Sequence, residues 1–250
     1  MRIILSPAKK MRSDTDSFAV RGLPRFLDRT EMLLAALRAM EPHELKKLWK
    51  CNDQIAALNV ERLSCMDLRR NLTPALFAYE GIAYQYMAPN VFTYEQLEYI
   101  AENLRILSGF YGVLRPFDGV TPYRLEMGAK LSVGGYKDLY EFWGDSIAQN
   151  ICAESDLIIN LASKEYSQTV EKHLPSGVRS LTVVFGEHIG GKTVKKGTMC
   201  KMARGEMVRY MAENHIERAE QLRSFDRLGY RFCAGESDEN TYAFIKEAAP

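Results

Sequence analysis

The chain has 250 residues, of which 46% are hydrophobic, 26% charged and 10% aromatic. That is ordinary globular usage and excludes wholesale disorder, collagen-like repeats and a disulfide scaffold. Thirty-three Lys and Arg stand against 32 Asp and Glu, a formal net charge of +1, which excludes a histone-like polycation but not a one-sided basic surface.

In chain order, the apolar run from Arg2 to Ser6 predicts a buried strand ending at Ser6-Pro7. Residues 31–40 and 52–63 space their apolar side chains as helices. Thr73-Pro74 reads as an N-cap with proline at N1, opening a helix through Tyr84. Thr93-Tyr94-Glu95-Gln96 is a capping box, opening a helix through Leu107. Residues 138–152 are expected to be helical. Residues 156–161 read as a buried strand, after which Ser163 caps a helix that stops before Pro175. Residues 180–189 and 192–196 predict a hairpin around Gly190-Gly191. Thr198 is expected to cap a helix over 199–215, and 228–233 and 241–245 predict two short strands. No linker or repeat divides the chain. The expected architecture is therefore mixed α/β, a single domain over 1–250 with a mixed sheet and surrounding helices. Strict strand-helix alternation is absent, so a standard doubly wound sheet is not predicted.

Five cysteines, an odd number with no C-x-x-C pair, point to reduced thiols in a cytosolic protein. Four scattered histidines offer no metal site, and no cofactor fingerprint is legible. The apolar run at the start is too short for a signal-peptide core. No stretch approaches 18 apolar residues, so no membrane partner is expected.

Five segments carry candidate chemistry. Ser6, Lys9 and Lys10 follow a strand directly, where ligands gather in α/β sheets. Ser108-Gly109-Phe110-Tyr111-Gly112 reads as a glycine turn able to aim backbone N–H groups at an anion, with Arg115, Arg124 and Lys130 behind it. The alternative for that turn is a plain helix C-cap. Residues 192–209 hold six Lys and Arg, including Lys201, Arg204 and Arg209, against Glu206 alone. A second basic stretch covers residues 1–25, and two such stretches are the footprint of a polyanion partner. Ser163, Lys164 and Tyr166 follow another strand end. Aromatic residues 139–145 read as core. No Ser-His-Asp triad or phosphate-loop motif is present.

The segments ILSPAKK (4–10), LSGFYGVLRPFDGVTPYRLEMG (107–128), LYEFWGD (139–145), LIINLASKEYS (157–167) and KMARGEMVRY (201–210) together resemble the YaaA family over essentially the full length. The resemblance implies a cytosolic role in resistance to peroxide stress that limits oxidative damage to DNA. It also implies a mixed α/β fold with a basic cleft and a helix-hairpin-helix element that holds duplex or branched DNA by its phosphates. Mapped onto this chain, that hairpin would be 108–112, although its glycines lie three apart where the motif has them two apart. The leading expectation is a DNA-binding stress protein, with Lys9, Lys10, Ser108, Gly109, Tyr111, Gly112, Arg115, Arg124, Lys130, Lys201, Arg204 and Arg209 on backbone phosphates. The alternative is an enzyme that takes a nucleotide or phosphorylated metabolite in a pocket formed by Ser6, Lys9, Lys10, Arg124 and Ser163. Within the enzyme class, a glycosylase would use Asp118 or Asp145 as its acid. A third reading, a redox sensor, rests on Cys200 among Lys195, Lys196 and Lys201.

Overall fold

The computed structural model describes residues 1–190 and 192–247. Its centre is one sheet of eight strands among the described residues. These are β1 (Arg2–Leu5), β2 (Leu104–Ser108), β3 (Gly112–Leu114), β4 (Leu157–Asn160), β5 (Arg179–Ile189), β6 (Lys192–Val194), β7 (Arg231–Phe232) and β8 (Thr241–Glu247). The order is β7-β8-β5-β4-β1-β2-β3, with β6 paired to β5. The inner pairings β8·β5, β5·β4, β4·β1 and β1·β2 are parallel, while β7, β6 and β3 add antiparallel margins. The sheet is mixed, as expected from the sequence.

Strand β1 lies between two strands that come much later in the chain. Ile3 faces Leu104 on one side and Ile159 on the other. Ile3, Ile4 and Leu5 are almost fully buried, as a parallel strand covered on both faces requires. The exposed start of this layer is held by charge. Arg2 (3.1 Å), Arg105 (2.9 Å) and Arg115 (3.0 Å) all donate to the Glu154 carboxylate. Arg105 is only 3% exposed, and shared pairing makes a buried guanidinium tolerable.

Ten α-helices are described: α1 (Leu27–Arg38), α2 (Pro42–Trp49), α3 (Asp53–Cys65), α4 (Ala75–Ala78), α5 (Ile82–Met87), α6 (Tyr94–Asn103), α7 (Leu139–Trp143), α8 (Ser146–Cys152), α9 (Lys164–Glu171) and α10 (Gly197–Glu213). Several differ from the expectation: α2 is not among the helices foreseen, and α10 starts at Gly197 after Lys196, with Thr198 inside it and not its cap. The helix foreseen over 74–84 breaks, because Tyr79–Glu80 pairs with Lys10–Met11 and Thr73–Pro74 with Gly119–Val120. Helix α6 has its capping box at Thr93 but stops at Asn103, where β2 begins. Gly144, at φ +51°, separates α7 from α8. Gly191, in the foreseen hairpin turn, lies outside the described residues.

The segment 104–114 is consequently a β-hairpin and not a helix followed by a glycine turn. Ser108, Phe110 and Tyr111 are fully buried. Ser108 Oγ accepts the N–H groups of Phe110 (3.2 Å) and Tyr111 (2.9 Å). Those donors are spent inside the protein and are not offered to a phosphate.

Candidate functional site

A cavity of about 520 Å³ opens beyond the carboxyl ends of β1 and β4. This is where parallel strands leave backbone groups and helix starts facing a ligand. Six candidates read from the sequence meet here: Ser6, Lys9, Lys10, Arg124, Ser163 and Tyr166. Lys201 and Arg204 join them from α10, with Glu80, Glu126 and Glu165.

The floor is built by the two strand ends. Asn160, the last residue of β4, is buried, donates to Glu171 (2.7 Å) and accepts the Ala162 N–H (2.9 Å). That turn brings Ser163 against Ser6. The Ser163 N–H donates to Ser6 Oγ at 2.8 Å, and Ser6 Oγ donates to Ser163 Oγ at 3.2 Å. The Ser163 side chain makes no capping bond to α9, contrary to the capping role the sequence suggests. Tyr84 Oη donates to the Ser6 carbonyl at 3.2 Å.

Two glycines set the walls. A Cβ on Gly205 would lie 1.9 Å from the Ala83 carbonyl oxygen, so α10 rests backbone against α5 there. The neighbouring Arg204 is thereby drawn into the cavity. A Cβ on Gly109 would lie 2.6 Å from the Leu125 carbonyl oxygen. The lack of one lets the strap 124–126 run close over the hairpin and carry Arg124 and Glu126. Beneath the strap the Tyr79 and Tyr123 hydroxyls meet at 2.8 Å, and Tyr123 reaches Ser108 Oγ at 2.6 Å. Burial pushes all these phenols up, so they stay neutral.

The electrostatics of the cavity are uneven. Glu126 Oε2 pairs with Lys9 Nζ at 3.1 Å, and Glu126 Oε1 lies 3.3 Å from Arg124 Nη2. The second contact is badly aligned, because Oε1 is buried and accepts no hydrogen bond. Arg124 is nine-tenths buried; its Nη2 donates to the Trp49 carbonyl at 3.4 Å and its Nε has no partner. Arg204 has neither an ion pair nor a hydrogen bond among the described residues, and its Nε is buried. Burial holds its guanidinium below the usual range. Five buried side-chain polar atoms lack a partner among the described residues, and three of them belong to Arg124, Glu126 and Arg204. Native interiors satisfy nearly all such atoms, and three of the five exceptions gather at this cavity.

The remaining candidates lie elsewhere. Ser108, Gly109, Tyr111 and Gly112 are buried structure. Arg115 pairs with Glu154 and lines a different cavity, of about 400 Å³, with Arg21, Arg25, Arg105 and Asp118. Arg209 pairs with Glu213 at 2.7 Å. Lys130 is exposed and outside the site cavity. Lys10, which does line the site cavity, pairs with Glu80 at 3.0 Å. Asp118 and Asp145 do not line the site cavity. Cys200 is half-buried, its Sγ donating to the Phe185 carbonyl at 3.4 Å. Sequence reasoning missed Tyr84, Tyr123 and Glu80, which only the tertiary fold brings to the cavity. Among the described residues no helix is long and apolar enough to cross a membrane.

The chain matches the family model described as "Peroxide stress protein YaaA" over residues 1–236. It is similar to a UPF0246 protein of Agathobacter rectalis, 54% identical over 249 residues and covering all of both chains. A UPF0246 protein of Lachnoclostridium phytofermentans is 52% identical, covering 98% of this chain and 96% of its own. One of Pediococcus pentosaceus is 50% identical, covering 98% of each.

Proposed function

The chain belongs to the peroxide stress protein YaaA family, and we propose that it serves this oxidative-stress role by binding a phosphate-bearing, nucleotide-sized anion in the cavity beyond β1 and β4. The observation that carries the reading is Arg204, a partly buried guanidinium with a buried, unpartnered Nε and no ion pair among the described residues, in the same cavity as the unpartnered Nε of Arg124. Charge buried without a partner is costly, and a bound anion removes that cost. The Ser6 and Ser163 hydroxyls add neutral donors at the floor. The volume falls within the range of small-molecule sites, whereas a duplex, whose major groove alone is about 12 Å wide, is far too broad to enter.

The expected cationic trough for duplex DNA is weakened by pairing. Lys9, Lys10, Arg115, Arg124 and Arg209 each face a carboxylate. DNA remains as a second reading on one observation. Lys9, Lys10 and Lys201 are exposed and line the cavity, so strand phosphates would rest on its rim.

Titration calorimetry with inorganic phosphate and nucleoside monophosphates tests the first reading, with Arg204→Met as the variant. Binding by the native chain and its loss in the variant are expected. Duplex titrations test the second reading. Contact with four to six phosphates gives a slope of log K on log salt of roughly −4 to −5, lost in Lys201→Glu. The proposal fails if no anion binds, or if Arg204→Met binds anions as the native chain does.

A further inference from the structure

The cavity separates two kinds of recognition. Arg204 makes no ion pair among the described residues, so it suits the anionic part of a ligand. Arg124 and Glu126 offset each other inside the cavity, with Lys9 on the solvent side of the same carboxylate, so the buried pair suits a neutral part. What this pair still lacks is specific. Arg124 Nε is a buried donor without an acceptor, and Glu126 Oε1 is a buried acceptor without a donor.

A donor next to an acceptor is the complement of a nucleobase edge, where a ring nitrogen or carbonyl oxygen stands beside an N–H group. Inorganic phosphate and dicarboxylates offer Glu126 only negative charge and leave its oxygen unsatisfied. A sugar phosphate offers hydroxyl donors but has no apolar body for the walls of Leu5, Ile82, Leu125 and Leu161.

Building on the anion-binding reading above, we infer that the cavity takes a nucleoside phosphate. Arg204 holds its phosphate, and the Arg124–Glu126 pair reads the hydrogen-bonding edge of its base. The nucleotide comes either free or as one unstacked residue of a nucleic-acid strand, and the chemistry presented to the cavity is the same.

The test compares the four nucleoside 5′-monophosphates, ribose 5-phosphate and inorganic phosphate on the native chain and on Glu126→Ala, by calorimetry. At least one nucleotide binds the native chain roughly tenfold or more tighter than ribose 5-phosphate, and Glu126→Ala narrows that preference to about threefold or less. The ratio is the readout, because removing Glu126 also frees Arg124 and raises affinity for every anion. Glu126→Gln, which keeps the volume, is the second variant. The inference is overturned if ribose 5-phosphate binds as tightly as every nucleotide. It is also overturned if Glu126→Ala weakens ribose 5-phosphate and nucleotide equally, which would assign Glu126 to a sugar hydroxyl. In both cases the anion site itself survives; it falls if phosphate, sugar phosphate and nucleotide all fail to bind, or if Arg204→Met binds them as the native chain does. Competition by a single-stranded oligodeoxynucleotide then identifies the source. Displacement of the mononucleotide with a steep salt dependence indicates a strand, and no displacement indicates a free nucleotide.

Discussion

Replacing Arg204 with methionine makes the protein more stable and less responsive to anions. Met fills much of the space of the arginine stem and carries no charge. The guanidinium it removes has a buried Nε without a partner, and an unsatisfied buried polar group costs about 1–3 kcal/mol. The residue is only partly buried, so cavity water screens some of the charge and a gain near 2 kcal/mol is expected. For a chain of this size 1 kcal/mol moves the melting temperature by roughly 2–4 °C, giving a rise of about 4–8 °C in anion-free buffer. The native chain gains in the other direction. A ligand at a hundred times its Kd contributes about 2.7 kcal/mol, or roughly 5–10 °C. Scanning calorimetry of both proteins, with and without phosphate or the tightest nucleotide, separates the two effects. The reasoning is refuted if the variant melts below the native chain without anion and both respond equally to it.

Gly205→Ala should cost about 3 kcal/mol or more and loosen the cavity wall, because its Cβ meets the Ala83 carbonyl at 1.9 Å. Gly197→Ala, whose Cβ meets open space, stays within about 0.5 kcal/mol, and urea unfolding of both variants beside the native chain checks the difference. Asp118 is buried, and burial pushes its carboxyl from 3.8 up to about 6. The folded chain therefore keeps a proton that the unfolded chain loses first. This contribution is complete below pH 3.8 and fades as pH rises through about 6, by at most about 3 kcal/mol. Asp118→Asn keeps an acceptor for the Arg115 N–H, now at 2.8 Å, and should lose this slope. Urea unfolding between pH 4 and 7 checks it, and equal slopes for both chains would count against the assignment.

The strand at residues 2–5 was legible because three consecutive apolar residues before Ser-Pro suit a strand buried on both faces. The capping box at Thr93 was legible because its two hydrogen bonds are local. The segment 104–108 was not. Arg105 interrupts its apolar run, and its tolerance for burial depends on Glu154, 49 residues away. The site followed the same division. Ser6 and Ser163 could be placed from the habit of ligands to gather beyond strand ends. The charges could be counted but not balanced. Lys9 is neutralised by a carboxylate 117 positions later, while Arg204, with Glu206 two residues away, finds no partner. Only folding distinguishes a cation that is spent from one that is available.

The placement of β1 also orders events during synthesis. Its edges are filled by residues 104–106 and 158–160, so Ile3, Ile4 and Leu5 have no strand to join until about 100 further residues are made, and their second edge stays open until some 155 are. At about 5–20 residues per second that delay is roughly ten to thirty seconds. Throughout it an apolar strand on the nascent polypeptide waits with an edge unfilled.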